Sequence, residues 1–400
     1  MKSTGLKNIA DQYGTPLYVF DLDEFGRRAG WIKNTLKDTA DFCFALKANP
    51  FLLNCADLLA DRFEICSPGE FALCVKAGIA PEKIVYSGVY KDPVTTPEVI
   101  GRIAGKGTAT VESPAQLELL DKCAGESGSV TNVLIRITSG NQFGVDEEEA
   151  CRMIRERASY TNLKITGFQM YTGTQKKKLR TIEKELNRLD ALIARCADEY
   201  GFTATELEYG PGLPVNYFED DAFDEEAMLT GFCSLLSGMQ YSGHKCVEMG
   251  RFAASSCGYY LTSAGDVKTS KGQNIVICDG GSHQLKYFGQ NMGMRIPFFD
   301  VIKSGREDQP ADQNDSKWSI FGALCTVHDV IAREAVLDDP QPGDLFIFKN
   351  TGAYSVTEGM ALFLSRDLPT VLSFDQGTGV RILRNRMAAS DINCAENERK

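Results

Sequence analysis

Residues 41–50 read DFCFALKANP, and this stretch begins the pattern from which the fold is predicted. The five residues from Phe42 to Leu46 are apolar, which is typical of a strand buried in a parallel sheet. Lys47 follows them, and Asn49-Pro50 then ends the strand, because proline has no backbone N–H for a ladder. The pattern therefore places an ammonium group at the carboxyl end of a buried strand.

Seven further short apolar runs continue this pattern, and helical segments fit between most of them. The eight predicted strands are FCFALK (42–47), FEIC (63–66), KIVYSG (83–88), TATVES (108–113), NVLIRI (132–137), ITGFQMY (165–171), ELEYG (206–210) and KCVEMG (245–250). Eight strands with intervening helices favour a closed parallel (β/α)₈ barrel of the TIM type. A doubly wound open sheet is the alternative, since periodicity alone does not show closure.

Helix boundaries can be predicted from local sequence. SPGE (67–70) and SPAQ (113–116) each offer serine as N-cap, proline at the first helical position and Glu or Gln at the third, which is a capping box. The segment 177–201 is predicted to be a helix that stops at Gly201. Its apolar face is formed by Leu179, Ile182, Leu186, Leu189, Leu192 and Ile193.

Beyond about residue 250 the sequence pattern changes to short β-rich runs separated by Gly, Asp and Pro. These runs are GYYLTSAGDVKTS (258–270), QNIVICDGG (273–281) and GDLFIFKNTGAYSV (343–356), and TPLYVFD (15–21) is similar. The sequence therefore predicts a barrel domain over residues 25–250 and a mainly β domain made of 1–24 and 251–400. The polar stretch 303–318 is predicted to be a surface loop.

Composition restricts the classes of function. The net charge of −11 argues against nucleic acid as a partner. No apolar run approaches the ~18 residues of a membrane span, and the first residues lack the apolar core of a secretory signal, so we expect a cytoplasmic protein without membrane attachment. Thirteen cysteines without a CxxC pair and only three histidines predict free thiols and no metal site.

Polar residues at predicted strand ends are the candidates for chemistry, because reactive groups of a barrel collect there. Lys47 would lose hydration at such a place, which lowers a lysine pKa and frees an amine to attack a carbonyl. The alternative is a lysine whose head simply reaches solvent. Gly210 and Gly212 in GPGLPVNY (210–217) could turn backbone N–H groups toward a phosphate, or could form an ordinary βα turn.

Two further segments combine charge or nucleophiles with a strand end. VEMGRF (247–252) places Glu248 and Arg251 around a glycine, where they could serve a site or form a local ion pair. ALCTVHD (323–329) contains Cys325 in a β-rich region, where a free cysteine is often only a small buried hydrophobe. Position alone leaves both interpretations open.

In their order and separations, these motifs resemble those of the fold-type III pyridoxal-phosphate enzymes, in particular the diaminopimelate/ornithine/arginine decarboxylase group, which has the alanine racemase/decarboxylase fold. The resemblance runs nearly end to end. Its motifs are FALKANP (44–50), EICSPGE (64–70), GFQMYTGTQ (167–175), EYGPGLPVNY (208–217), EMGRF (248–252), ICDGG (277–281), ALCTVHD (323–329) and NTGAYSV (350–356).

The resemblance implies pyridoxal 5'-phosphate as cofactor and a homodimer in which the β domain completes the partner subunit's active site. It implies that Lys47 binds the cofactor covalently, that Glu248 faces the pyridine nitrogen, and that Cys325 donates a proton near the substrate α-carbon. Tyr171 replaces the family histidine that stacks on the ring. The residues implied for the phosphate are Thr174, Gly210, Gly212, Gly250, Arg251 and Tyr354.

Departures from the family pattern concern the substrate. Thr326 stands where diaminopimelate decarboxylases have a glutamate that binds the distal amino group, and Glu358 is a candidate replacement. GGSHQLK (280–286) is similar to a form found in decarboxylases of carboxylate-rich substrates, so Lys286 is a candidate for a substrate carboxylate. Asp329 lies in the same cross-subunit loop as Cys325.

The sequence therefore predicts an amino-acid α-decarboxylase, a carboxy-lyase that releases CO₂ from diaminopimelate or a related carboxylate-bearing or conjugated amino acid. An amino-acid racemase on the same fold is one alternative. Glu248 argues against it, because a carboxylate keeps the ring protonated and able to accept the electrons that CO₂ leaves behind. A non-catalytic homologue is the other alternative, and the joint presence of Lys47, Glu248, Cys325 and Tyr354 argues against that.

Overall fold

The structure is a computed structural model that describes residues 1–306 and 315–395. Its contacts divide the chain into two compact units. The barrel unit comprises Gly26–Val215 and Phe223–Ala253, and the β unit comprises Met1–Phe25, Asn216–Ala222 and Ala254–Lys400.

The described residues form strands and helices in the following chain order. The strands are β1 Leu17–Asp21, β2 Asp41–Ala45, β3 Arg62–Ile65, β4 Ile84–Tyr86, β5 Thr108–Val111, β6 Thr131–Arg136, β7 Leu163–Tyr171, β8 Glu206–Gly210, β9 His244–Met249, β10 Gly258–Ser270, β11 Gln273–Cys278, β12 Phe299–Ile302, β13 Asp315–Phe321, β14 Val330–Asp338, β15 Leu345–Phe348, β16 Thr370–Asp375 and β17 Gly379–Arg384. The helices are α1 Ser3–Tyr13, α2 Leu22–Leu36, α3 Leu53–Ala56, α4 Pro68–Ala77, α5 Thr96–Ile103, α6 Pro114–Glu126, α7 Glu147–Arg155, α8 Leu179–Tyr200, α9 Glu225–Ser237, α10 Arg251–Ala254, α11 Ser355–Glu358 and α12 Ser390–Asn393.

Strands β2 to β9 pair in sequence order, all parallel, and β9 pairs with β2 to close the barrel. All eight predicted strands are present, and the closed (β/α)₈ barrel is confirmed over the open sheet. The first strand is shorter than predicted, because β2 ends at Ala45 and Lys47 lies in a 3-10 turn, Leu46–Ala48. The backbone N–H of Asn49 donates to the carbonyl of Leu46, so the turn satisfies its own backbone instead of extending the ladder.

The helix caps follow the predicted serines. The hydroxyl oxygen of Ser67 accepts from the backbone N–H of Glu70, and that of Ser113 accepts from the N–H of Gln116. The return bonds differ from a standard capping box, because the side chains of Glu70 and Gln116 accept from the residue before each cap, Cys66 and Glu112. The helices that follow β3 and β5 are therefore tied to the ends of those strands.

Helix α8 shows which part of a predicted apolar face is buried. It begins at Leu179, two residues later than predicted, and ends before Gly201, which adopts a left-handed conformation with φ +58°. Leu179 and Ile193 are only half-buried, whereas Cys196 belongs to the buried face. The buried residues are Ile182, Leu186, Leu189, Leu192 and Cys196.

The β unit is built on a sheet with the order β14-β13-β11-β10-β1-β16-β17, and β15 joins both β10 and β12. The predicted strand TPLYVFD forms β1, which lies between β10 and β16. One face of this part of the sheet packs on α1, where Leu6, Leu17, Val19 and Leu261 are buried together. Residues 307–314 of the predicted loop 303–318 lie outside the described residues, and residues 315–318 belong to β13, so the loop prediction is wrong there.

Within residues 1–306 and 315–395, none of the helices has the length and apolar character needed to cross a bilayer.

Candidate active site

Lys47 lies at the carboxyl end of the barrel strands and forms an ion pair there. Its Nζ is 2.8 Å and 2.9 Å from the two carboxylate oxygens of Glu64, which is the residue of β3 that pairs with Ala45. The Lys47 side chain is 37% exposed, whereas that of Glu64 is 2% exposed. An amine at this point can reach a ligand above the barrel while its counter-ion stays fixed below.

The surroundings of this ion pair favour its charged form. Burial is the largest single influence and raises the pKa of the Glu64 carboxyl, but the Lys47 ammonium, the hydrogen bond from Cys66 and the charge of Arg136 together lower that pKa below its ordinary value of 4.5. The thiol of Cys66 donates to Glu64 at 3.0 Å. Burial, and then the charge of Glu64, raise the pKa of Cys66 well above its ordinary value, so this cysteine is a neutral donor beside the lysine.

Glu248 lies near the end of β9 and is buried inside the barrel. It accepts a hydrogen bond of 2.6 Å from the side-chain amide of Gln169 on β7. Burial and the charge of Glu64 raise the pKa of the Glu248 carboxyl above its ordinary value. A carboxylate held in this way is suited to a cationic partner, and a protonated pyridine nitrogen is such a partner.

Tyr171 ends β7 and provides an aromatic face at the same mouth. The Lys47 Nζ lies 5.9 Å from the centre of the Tyr171 ring. Burial raises the pKa of the Tyr171 phenol, although Lys47 and Arg251 act in the opposite direction, so the ring is neutral. A neutral ring can stack on a flat heterocycle but adds no positive charge.

The loops after β7 and β8 are tied together into one turn. The N–H of Lys176 donates to the carbonyl of Gly212, and the Gln175 side chain both donates to and accepts from the backbone of Val215. Gly212 has φ +59°, and a Cβ there would lie 1.9 Å from the carbonyl oxygen of Gly173. Only glycine fits this position.

Arg251 and Thr174 lie beside this turn. The Nε of Arg251 donates to the Thr174 hydroxyl at 3.1 Å, and the Arg251 side chain is almost fully buried. A Cβ on Gly210 would meet the Tyr171 ring at 2.7 Å, and one on Gly250 would meet the Ala48 side chain at 2.8 Å. The backbone here approaches its neighbours as closely as a phosphate-binding turn requires.

The β unit brings several of the other predicted site residues close together. The loop between β13 and β14 carries the exposed Cys325 and the half-buried Thr326. Asp329 closes this loop, because its carboxylate accepts from the backbone N–H groups of Ser282 and Leu324 and is buried. Both Asp329 oxygens are thus already bound, and its predicted contact with substrate remains a prediction.

Tyr354 and Lys286 lie on neighbouring segments of the β unit. Tyr354 has φ +66°, a conformation that is strained for a residue other than glycine and that is concentrated at functional sites. The hydroxyl of the next residue, Ser355, donates to the carbonyl of Lys286. The side chains of Lys286 and Glu358 are exposed, so both are free to meet a ligand or partner.

The structure also identifies polar residues to which the sequence had assigned no role. They are Glu64, Cys66, Gln169 and Glu208, with the buried ion pair Arg136–Glu112 at 2.9 Å. An acidic or amide side chain inside an apolar strand run was the available signal, since such residues are rarely buried without a reason. The sequence did not indicate which of them meet.

The donor set at the barrel mouth matches one cofactor. A primary amine suits an aldehyde, a buried carboxylate suits a protonated pyridine, an aromatic face suits a planar ring, and glycine turns with Thr174 and Arg251 suit a phosphate. Barrel and donor set together define a pyridoxal-phosphate enzyme.

Residues 22–255 match the family model described as "Pyridoxal-dependent decarboxylase, pyridoxal binding domain". The chain belongs to this family of pyridoxal-dependent decarboxylases. It is therefore a pyridoxal-phosphate-dependent carboxy-lyase that acts on a small amino-acid substrate.

Relatives match over nearly the whole chain. The diaminopimelate decarboxylase of Zymomonas mobilis is 27% identical, with 97% of this chain and 94% of that protein covered. The L-glutamyl-[BtrI acyl-carrier protein] decarboxylase of Niallia circulans is 26% identical, with 96% and 94% covered. The solved structure of AQ1208 from Aquifex aeolicus is 25% identical and has a TM-score of 0.84, with 97% of this chain and 93% of that chain covered.

A second solved structure has the same fold. Diaminopimelate decarboxylase from Helicobacter pylori, complexed with L-lysine, is 24% identical and has a TM-score of 0.83, with 97% of this chain and 98% of that chain covered.

Proposed function

We propose that this enzyme removes the α-carboxylate of diaminopimelate or of a related amino acid that bears a second carboxylate or is conjugated to another group. The observation that carries the proposal is the Lys47–Glu64 pair beside Tyr171, with buried Glu248 below the same barrel mouth. The full-length relatives named as decarboxylases of diaminopimelate and of an L-glutamyl carrier protein support the substrate class.

The residues of the barrel unit have separate tasks in this proposal. Pyridoxal phosphate supplies an aldehyde that binds amines and a ring that accepts the electrons released with CO₂. Lys47 would be the amine that binds the aldehyde. Glu248 would face the ring nitrogen and favour its protonated form, and Tyr171 would pack against the ring. The residues proposed to hold the phosphate are Thr174, Gly210, Gly212, Gly250, Arg251 and, from the β unit, Tyr354.

Cys325 is proposed to donate a proton to the substrate α-carbon from the second subunit of a homodimer. Exposed apolar side chains of the β unit support such an interface, because large exposed apolar areas usually meet a partner. These side chains are Met294, Val327, Met360, Leu362, Phe363 and Leu364. All thirteen cysteines are free thiols, which agrees with a cytoplasmic location.

Thr326, Lys286 and Glu358 are proposed to select the substrate side chain. Thr326 has a hydroxyl that can bind an amide or carbonyl but cannot neutralise a distal ammonium. The exposed Lys286 can bind a carboxylate, and the exposed Glu358 can bind an amine. This combination supports a substrate with a distal carboxylate or an attached group.

The test is a screen for CO₂ release by the purified holoenzyme. The substrates are meso-diaminopimelate, glutamate, lysine, ornithine and a glutamyl thioester of an acyl-carrier protein. We expect CO₂ from diaminopimelate or the glutamyl conjugate and little from lysine and ornithine. A change in optical rotation without CO₂ release would instead identify a racemase.

The Lys47→Ala variant is the control for this screen. We expect it to lose both the absorbance of the lysine-bound cofactor and CO₂ release, because Lys47 is the amine paired with Glu64 at the carboxyl end of the barrel strands. Full activity in this variant would show that the assignment of the site is wrong.

A further inference from the structure

Glu208 is a buried carboxyl group in the barrel interior that the proposed reaction does not use. Strand register places it level with Gln169 on β7 and with Cys246 on β9. Glu248 lies two residues beyond Cys246, on the same face of β9, and is the register partner of Cys43 on β2. These five side chains therefore fill two adjacent layers of the barrel.

The carboxyl of Glu208 is shielded from water and lacks donors. Glu208 is 0% exposed, and neither of its oxygens accepts a hydrogen bond from any N–H or O–H in the part of the chain that the structure describes. Gln169 gives its amide N–H to Glu248 instead. An ionised carboxylate without donors in such a place would be strongly unfavourable.

Glu208 and Glu248 lie diagonally across the paired strands β8 and β9, close enough for the charge of Glu248 to act on Glu208, and a hydrogen bond between two carboxyl groups requires one proton between them. Burial, and then the charge of Glu248, raise the pKa of Glu208 well above its ordinary value. The donors available to Glu248 favour its ionisation, so Glu208 is the member that keeps the proton. The other titratable, charged or polar groups that act on this pair are Cys43, Lys47, Arg62, Glu64, Gln169, Glu206 and Cys246.

The thiols in these layers do not change this assignment. The donor atoms of Cys43, Glu208 and Cys246 lie within 4.8 Å of one another. Burial raises the pKa of Cys43 well above its ordinary value, so Cys43 is a neutral thiol and adds no negative charge beside the carboxyl groups.

We propose that Glu208 is a permanently protonated carboxylic acid that donates its hydrogen bond to Glu248, and that it is a positioning residue for the cofactor's ring nitrogen. Glu208–OH and the Gln169 amide together hold the Glu248 carboxylate in place. This inference rests on the proposed role of Glu248, since Glu208 acts only through it.

The first experiment uses the protein without cofactor, so that it tests the protonation of Glu208 independently of the cofactor. Infrared spectroscopy of the apoprotein at neutral pH detects the carbonyl band of a protonated carboxylic acid, separate from the carboxylate bands. We expect this band in the wild type and its loss in Glu208→Gln. Glu70→Gln, which removes another carboxyl whose pKa burial raises, is the matched control and should keep the band.

The second experiment measures how Glu208 acts on the holoenzyme. Glu208→Gln keeps an N–H donor for Glu248, so its kcat should stay close to that of the wild type. Glu208→Leu removes the donor and should lower kcat about tenfold to a hundredfold with little change in KM, as expected for a lost hydrogen bond to a charged group. Added to Glu248→Ala, the leucine substitution should have no further effect on kcat.

Several results would overturn the inference. They are absence of the infrared band in the wild type, its survival in Glu208→Gln, equal losses of kcat in the glutamine and leucine variants, and additive losses with Glu248→Ala. If Glu208→Leu does not fold, the infrared band and the glutamine variant still test whether Glu208 carries the proton. If Glu248→Ala alone leaves the cofactor absorbance and kcat unchanged, the proposed role of Glu248 is wrong, while the infrared comparison still tests the proton on Glu208.

Discussion

At the scale of single residues, the acidic side chains of the barrel differ in their hydrogen-bond partners. Glu64 has a lysine and a thiol as partners, Glu248 has an amide, and the Glu208 oxygens have no hydrogen-bond partner among the described residues. The three carboxyl groups lie on neighbouring parts of one barrel, yet the pKa of Glu64 is lowered whereas those of Glu248 and Glu208 are raised. Local donors decide this difference, because burial alone would raise all three.

Glu64→Gln tests the ion pair with Lys47. The folded-state pKa of Glu64 lies below 4.5, so its stabilisation is complete above pH 4.5 and is lost as the pH falls through the folded-state pKa. We expect the variant apoprotein to lose about 1–2 kcal/mol of unfolding free energy at neutral pH, a value discounted for the exposed lysine head. Its stability should also fall less steeply than that of the wild type below pH 4.5.

Urea unfolding of the two apoproteins across that pH range measures both effects. Asp92→Asn, at a half-buried loop position, is a control that leaves the pair intact. The same acid dependence in the wild type and in Glu64→Gln would contradict the role of the pair.

Lys91 is a buried lysine of the barrel. Among the described residues, its Nζ donates hydrogen bonds to the backbone carbonyls of Gly88 at 3.1 Å and Ser87 at 3.5 Å. Burial lowers its pKa from 10.5 to about 8. Between these values the unfolded chain holds a proton that the folded chain has released, so the unfolding free energy rises with pH.

Lys91→Met should lack this rise. We expect the unfolding free energy of the wild type, relative to that of the variant, to increase between pH 8 and 10.5 by up to about 1.4 kcal/mol per pH unit. Denaturant unfolding of both proteins at several pH values gives the difference, in which other titrating groups cancel. A constant difference would mean that Lys91 keeps an ordinary pKa.

At the scale of elements, the site depends on turns that follow strands. The turn after β8 needs a positive φ at Gly212 and has no room for a Cβ. Gly201, at the end of α8, has nearly the same φ but open space around it. An alanine at Gly201 therefore has only the conformational cost of a positive φ, whereas an alanine at Gly212 has that cost and a steric clash as well.

Gly212→Ala should therefore weaken the binding of pyridoxal phosphate by at least about tenfold, because the carbonyl of Gly173 must move and the proposed phosphate turn moves with it. Gly201→Ala should lose some stability but bind the cofactor as the wild type does. Titration of the two apoproteins with pyridoxal phosphate, followed by absorbance, compares them. Equal affinities would argue against phosphate binding at this turn.

At the scale of the whole molecule, the proposal divides catalysis between two subunits. Lys47→Ala and Cys325→Ala homodimers should each be nearly inactive. After subunit exchange, a mixed dimer contains one site with both substitutions and one site with neither. Random mixing of equal amounts should restore about a quarter of the wild-type activity.

This complementation is measured as CO₂ release after the two variants are refolded or incubated together. Mixing Lys47→Ala with Glu248→Ala is the control, since both residues belong to the barrel unit and no intact site can form. Recovery in the control, or none in the test mixture, would contradict a shared active site.

Much of the fold could be predicted from sequence because it depends on neighbours along the chain. Apolar runs of strand length, serine caps before Pro68 and Pro114, and a glycine after α8 each mark an element locally. The end of β2 was misplaced by two residues, since the turn at Lys47 depends on backbone bonds that periodicity does not reveal. The strand that begins at Asp315 was missed because its polar residues lack the apolar pattern.

The sequence by itself determined the barrel, the β unit and the order of the motifs that mark a pyridoxal-dependent decarboxylase. Only the tertiary structure decided which acid meets which partner. Glu64, Gln169, Glu208 and Glu248 come from four strands far apart in the chain, and barrel closure with its strand register brings them into adjacent layers. The protonation of Glu208 follows from that register, because a pKa depends on distances and burial that no single stretch of sequence contains.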